Sequence, residues 1–195
     1  MAELPEPLAG LVRDHREIEE VVASAHKAIS AAAGKPTDEA IVSAALEELR
    51  DLEAFAAVDL TVHIDKEERF FFPALLEAVK AETELVIDDM LAQHDEVRDR
   101  NAEVQAVLDA IDNHHDEVSS ETANLSSGLR AAEALLTPEV LNQLYDSVKK
   151  LDWILQGHFL DEEDSLFEPS VNWFSAEKFA EMSEQMAALE DSIGM

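Results

Sequence analysis

The chain has 195 residues, no cysteine, and 44 acidic against 14 basic side chains, so its formal net charge is −30. The lack of cysteine excludes disulfides, iron–sulfur clusters and thiolate zinc sites. The charge excludes nucleic acids and anionic membrane surfaces as partners, because both would repel the chain. A hydrophobic content of 47% is too high for an acidic disordered segment, and five glycines and six prolines fit long helices better than many turns. The composition predicts a folded, all-α protein.

The beginning of the chain, residues 1–7, carries neither a basic segment nor the apolar core of a signal peptide. No apolar run approaches the roughly 20 residues that a membrane span needs. We therefore expect a cytoplasmic protein without a membrane segment.

Apolar residues recur at intervals of three and four in the first half of the chain, the period of one helix face. The first such seam is Leu8, Leu11, His15, Ile18, Val22, Ala25 and Ile29. The second is Leu49, Leu52, Ala56, Leu60, His63, Glu67 and Phe70. We expect the first helix to end at Gly34, Thr37 to cap the second, and Pro73 to interrupt it, since proline lacks the donor that a helix interior needs.

A third helix is predicted to start near Thr83. Its seam is Ile87, Leu91, His94, Val97, Asn101, Val104, Leu108 and Ile111. The polar residues 112–128 are interpreted as a connection with some helix in it. Because Thr137 and Pro138 form a cap followed by proline at the first helical position, a fourth helix starts there. Its seam is Leu144, Val148, Leu151, Leu155, His158 and Glu162.

The end of the fourth helix is predicted at Pro169, after which Ser175 caps a last amphipathic helix that reaches about Ile193. Four amphipathic helices with short or moderate connections favour an antiparallel four-helix bundle. We assign residues 1–169 to this bundle. Residues 170–195 form a C-terminal helix that packs on the bundle or serves in a homodimer contact.

An internal near-repeat is the strongest chemical signal. The pattern His-x3-Glu-Glu-x3-Phe begins at His63 and again at His158, and each copy is followed by a proline one or two residues later. A histidine and a glutamate four residues apart lie on one helix face, about 6 Å apart along the axis. Two such pairs on two helices offer two imidazoles and two carboxylates, those of Glu67 and Glu162, to one point.

Two further histidines, His15 and His94, lie on the seams of the first and third helices, so the four helices carry ligands in a pseudo-twofold order. A lone histidine on an apolar face is usually a core residue, but a carboxylate on such a face must be paired or coordinated. Six ligands facing one core suit two metal ions. Imidazole and carboxylate donors without thiolate fit iron, with manganese and zinc as alternatives. The predicted metal ligands are His15, His63, Glu67, His94, His158 and Glu162.

These six residues, in this order on four helices, resemble the hemerythrin-like family of HHE cation-binding domains over about residues 8–169. The resemblance implies a non-haem centre of two iron ions, bridged by the two glutamates and an oxo or hydroxo group. Oxygen-carrying hemerythrins have a second histidine where this chain has Arg98, and an aspartate where it has Glu162. Both departures are closer to the hemerythrin-like branch, which is linked to peroxide breakdown, nitric oxide chemistry, and oxygen or iron sensing.

The absence of that histidine leaves an additional open position on one iron, which favours binding and activation of a small molecule. The first hypothesis is thus a protein that binds and reacts with dioxygen or hydrogen peroxide, with catalase- or peroxidase-like activity or reactivity toward nitric oxide. The alternative is a protein that binds or senses oxygen, nitric oxide or iron without turnover.

Several residues near this pattern are given lesser roles. Glu19, Glu68 and Glu163 are interpreted as solvated glutamates, and Arg98 as a partner in surface ion pairs. His26 returns to the face of His15 after about 16 Å, too far to share a site. At His114 and His115, in the polar stretch, we expect at most adventitious metal binding.

Overall fold

The computed structural model describes the backbone of residues 4–87 and 94–194, and the side chains of these residues outside 81–107, 109–112 and 133–134. Helices account for 91% of the structure, and the described ranges contain no strand. Five continuous helices follow one another in these ranges, four long ones and a shorter C-terminal one. The predicted all-α fold with an additional C-terminal helix is therefore confirmed.

The helices have the following bounds. The first helix is α1 (Glu6–Gly34), the third is α5 (His94–Ala134) and the fifth is α8 (Ala176–Ile193). The second helix consists of α2 (Glu39–Phe55), the π-helical segment π1 (Ala56–Leu60), α3 (Thr61–Lys66), the π-helical segment π2 (Glu67–Phe71) and α4 (Phe72–Ile87). The fourth helix consists of α6 (Pro138–Glu162), the π-helical segment π3 (Glu163–Phe167) and α7 (Glu168–Ser170).

The seam predicted for the first helix is correct, since each of its seven residues is at most 1% exposed. The predicted end at Gly34 is also confirmed. The cap of the second helix is Asp38 and not Thr37, because the Asp38 carboxylate accepts the N–H of Ile41 at 3.3 Å. A carboxylate suits this position because it also meets the positive end of the helix dipole.

The prediction that Pro73 interrupts the second helix is wrong. The proline comes two residues after the end of π2, and the N–H of the intervening Phe72 donates to the carbonyl of Glu67 five residues earlier. This wider turn leaves room for the proline ring, which in a regular helix would clash with the carbonyl four residues before it. Pro169 follows π3 in the same way, and there the fourth helix ends one residue later, close to the predicted position.

The π segments also shift the seam that follows each near-repeat glutamate. Phe70 was predicted to be buried, but Phe71 and Phe72 are the buried residues, 0% and 6% exposed, after Glu67. Leu166 and Phe167 are also buried, and they lie four and five residues after Glu162, as Phe71 and Phe72 do after Glu67. A π turn adds one residue per turn, so the buried face moves by one position.

The third helix differs from its prediction at both ends. Thr83 lies within α4, and the polar residues 112–128 lie within α5, which has 41 residues without a break. The predicted start of the fourth helix agrees with the structure. The Thr137 hydroxyl accepts the N–H of Val140 at 3.3 Å, so Thr137 caps α6. Likewise, the Ser175 hydroxyl accepts the N–H of Lys178 at 3.2 Å, so Ser175 caps α8 as predicted.

The chain divides into two compact units, one made of residues 1–13, 62–112 and 160–195, the other of residues 14–61 and 113–159. In the first unit, α8 contributes Phe179, Met182 and Met186 to a core that also contains Phe71 and Phe167. In the second unit, an ion pair joins the buried carboxylate of Glu121 to the ammonium of the half-exposed Lys150 at 2.7 Å. No helix in the described ranges is both long and apolar enough to cross a membrane.

Candidate metal centre

The two His-x3-Glu pairs lie on the buried faces of α3–π2 and α6. His63 is 1% exposed and Glu67 is fully buried, with 3.2 Å between His63 Nε2 and Glu67 Oε1. His158 and Glu162 repeat this burial, at 1% and 0%. Removing a carboxylate from water costs several kcal/mol unless a cation or a hydrogen-bond donor compensates it. Two such carboxylates at equivalent positions of a repeat therefore indicate a built site.

The first group of candidate ligands is His15, His63, Glu67 and Glu162. Each offers one nitrogen or oxygen, and these four atoms lie within 4.8 Å of one another. His15 is completely buried, and its ring stacks on Phe159 with 4.0 Å between centroids and 12° between planes. The stacking fixes the imidazole plane, so His15 presents its nitrogen in a defined direction.

The second group is Glu67, His115, His158 and Glu162, whose ligand atoms also lie within 4.8 Å of one another. Between His115 Nε2 and His158 Nε2 the distance is 3.1 Å. Two nitrogens bound to one ion at about 2.1 Å would be about 3.0–3.4 Å apart for angles between 90° and 109°. The two histidines therefore have the spacing of neighbouring ligands of one ion.

Both groups consist of imidazole and carboxylate donors, and both include Glu67 and Glu162. This donor set fits iron, manganese or zinc, and it is a poor match for magnesium or calcium, which prefer oxygen alone. The residues present are therefore suited to a transition-metal cation.

Of the six predicted ligands, the structure places five in these two groups: His15, His63, Glu67, His158 and Glu162. His94 is the first residue of α5, and its side chain lies outside the described ones. His115 was interpreted as part of a polar connection, yet it is 5% exposed and belongs to the second group.

A sequence signal for His115 does exist. Residues 115, 118, 122, 125 and 129 follow the intervals of three and four, and four of them are buried, with Thr122 partly so. The seam was hidden because residues such as Glu121 occupy the neighbouring positions. Glu121 is buried, and its carboxylate accepts hydrogen bonds from Lys150 at 2.7 Å and from Asn124 at 3.2 Å.

The residues that were given lesser roles have other surroundings. Glu19 pairs with Arg16 at 2.9 Å and keeps 35% of its side chain exposed, and Glu68 is exposed. His26 Nδ1 lies 2.6 Å from a carboxylate oxygen of Asp152. The side chain of Arg98, like that of His94, lies outside the described part of the chain.

Comparison with known protein families identifies the family of the chain. The sequence model of the hemerythrin HHE cation binding domain matches residues 6–112, more than half of the chain. This range contains His15, His63, Glu67 and His94 and ends before His115. The chain belongs to the hemerythrin HHE cation-binding family. In this hemerythrin-family protein the buried histidine and glutamate groups form a candidate cation-binding site. No curated protein and no solved structure matches the chain significantly.

Proposed function

We propose that this protein holds two iron ions and reacts with hydrogen peroxide or dioxygen. The observation that carries the proposal is the pair of ligand groups that share two fully buried glutamates. One ion would be held by His15 and His63, the other by His115 and His158, with Glu67 and Glu162 common to both.

The ligand from the third long helix is proposed to be His115 rather than His94. The helix α5 is continuous from His94 onward, and a rise of 1.5 Å per residue separates residues 94 and 115 by about 31 Å along its axis. Both histidines therefore cannot belong to one centre, and His115 is the one grouped with Glu67.

The number of protein ligands favours reactivity. Six side chains for two ions leave coordination positions open, and open positions are what allow a metal to bind and activate a small molecule. When bound, iron would supply the electron transfer that peroxide or dioxygen chemistry needs. The protein's own contribution is to hold the imidazoles in fixed planes, as Phe159 does for His15, and to exclude water by the buried phenylalanines.

Metal analysis combined with an optical spectrum tests the centre. We expect two irons per chain and near-ultraviolet charge-transfer bands of a bridged ferric pair. The matched variants are Glu67→Gln, which removes a shared ligand, and Glu68→Gln, which changes the exposed glutamate beside it. The first should lose iron and the bands, and the second should keep both; equal iron content in the two variants would refute the assignment.

Addition of hydrogen peroxide to the iron-loaded protein tests the reaction. Release of oxygen over many turnovers is the expected result. Reversible binding of oxygen without peroxide turnover would instead support a carrier.

A second candidate function is sensing of oxygen, nitric oxide or iron without turnover. It is favoured by two exposed apolar side chains on α6, Trp153 at 74% and Leu160 at 61%, which lie two helical turns apart. Such a surface would suit a second copy or another partner that receives the signal. This candidate would be distinguished by an optical spectrum that changes when oxygen or nitric oxide is added, without formation of a reaction product.

A further inference from the structure

A pocket of about 270 Å³ lies within the first unit, where the beginning of α1, the segment α3 and the helix α8 meet. Its lining includes the buried residues Leu11, Lys66 and Met186 and the exposed, ion-paired Glu6 and Arg13. The pocket therefore extends from the surface to buried side chains.

Lys66 lines this pocket and is a near neighbour in sequence of two candidate metal ligands. Lys66 lies between His63 and Glu67 on one helix, so it is within a turn of both ligands. Its side chain is only 7% exposed, and its ammonium lies 2.5 Å from a carboxylate oxygen of Glu190 on α8. A buried ammonium requires such a counter-charge, and both members of the pair line the pocket.

The apolar face of α8 covers the segments that follow the two shared glutamates. Phe179, Met182 and Met186 belong to the same core cluster as Phe71 of π2 and Phe167 of π3. These two segments come directly after Glu67 and Glu162. Thus α8 is held to the ligand-bearing helices by apolar contacts along its length and by one ion pair near its end.

We propose that α8 is a cover that controls how small molecules reach the metal centre through this pocket, with Lys66–Glu190 as the latch that limits its opening. This inference rests on the proposed function, because it presupposes a loaded centre. The latch is the polar contact that can open without disrupting the core, since Glu190 is 40% exposed whereas Met182 is fully buried.

The first test breaks the latch. The iron-loaded full chain is mixed with sodium azide, a small anion that binds ferric ions, and the rate of the optical change is measured. Glu190→Gln should raise this rate by about fivefold, which corresponds to about 1 kcal/mol at 25 °C. The matched control is Glu181→Gln, which removes an exposed ion pair with Lys178 on the same helix and should leave the rate unchanged.

The second test fills the pocket and predicts the opposite sign. A side chain at Gly10 would enter the pocket, and its Cβ would have no heavy atom closer than 3.7 Å. Gly10→Leu should therefore lower the azide rate by about fivefold, while iron content and spectrum stay unchanged. The control Gly157→Leu places the same side chain at an exposed position on α6, with no heavy atom within 4 Å of its Cβ.

A merely structural role for α8 would not move the two rates in opposite directions. The inference is overturned if wild type binds azide but Gly10→Leu and Glu190→Gln react at the rates of their controls. Failure of the proposed function is distinguished at the start, because wild-type protein would then contain no iron and give no azide bands.

Discussion

At the scale of single residues, burial separates the acidic side chains by chemical role. Among those the structure describes, Glu67, Glu121 and Glu162 are buried. Glu121 has a lysine partner, Lys150, whose pKa is raised by the hydrogen bond to that carboxylate. The other two converge with imidazoles, which can share a cation with them. Burial alone therefore does not identify a candidate metal ligand. The neighbouring side chains decide, since a lysine neutralises a carboxylate whereas imidazoles can bind a metal ion together with it.

The identity of the third-helix ligand can be decided with two alanine variants. His115→Ala should lose at least one of two irons and change the optical bands, because His115 and His158 have the spacing of neighbouring ligands. His94→Ala should keep both irons, since residue 94 lies about 31 Å away along α5. Metal analysis of both variants is the measurement, and iron loss in His94→Ala alone would favour the ligand set expected from the sequence.

At the scale of helices, two glycines differ in the space around them. A Cβ on the buried Gly128 would lie 2.6 Å from Leu144 Cδ2 and 3.1 Å from Leu144 Cγ, within the contact between α5 and α6. A Cβ on the exposed Gly157 of α6 would meet no heavy atom within 4 Å. Close helix packing thus requires glycine at the first position and not at the second.

The same substitution at these two positions should have opposite effects on stability. Gly157→Ala should raise the free energy of unfolding by about 0.5–1 kcal/mol, because alanine favours the helix. Gly128→Ala gains the same propensity but forces Leu144 to move, and overpacking of about 1–3 kcal/mol should leave a net loss. Urea denaturation of both variants measures the difference; two stabilised variants would show that Leu144 moves at little cost.

The beginning of α8 gives a pH-dependent prediction. The pKa of Glu177 is lowered from 4.5 by a hydrogen bond from its own backbone N–H and then by one from the Ser175 hydroxyl. A lowered folded-state pKa adds stability above the unfolded pKa, and this stability is lost as the pH falls through the folded-state value. Glu177→Gln should therefore lower the Tm near pH 7 and have no effect at a pH below the folded-state pKa.

The control for this experiment is Glu184→Gln, which changes an exposed glutamate inside α8, away from the terminus. The measurement is the Tm of wild type and both variants between about pH 2 and pH 7, in the range where linkage acts on carboxylates. A Tm difference for Glu177→Gln that persists at the lowest pH would contradict the explanation.

At the scale of the whole molecule, a net charge of −30 on 195 residues opposes folding by self-repulsion. Among the described residues, most acidic side chains are exposed, where salt screens their charge. The screening length falls from about 30 Å at 0.01 M salt to about 3 Å at 1 M. The charge keeps the protein soluble, but it should make its stability dependent on ionic strength.

We expect the Tm to rise steadily with sodium chloride between about 0.01 M and 1 M, as repulsion is screened. A second titration with sucrose at matched osmolarity separates screening from a general effect of cosolutes on burial. A Tm that does not depend on salt would contradict the expected self-repulsion, because 14 basic side chains cannot compensate 44 acidic ones.

The sequence by itself determined the all-α fold, the buried face of the first helix and the two His-x3-Glu pairs, because helix periodicity and i,i+4 spacing are local properties of the chain. The predicted interruption of the second helix at Pro73 was wrong, because the π segment before the proline accommodates its ring. Only the tertiary structure grouped His115 with Glu67, because which residue of a 41-residue helix comes close to Glu67 depends on how separate helices align. That alignment is set by contacts between distant parts of the chain, and no short stretch of sequence contains it.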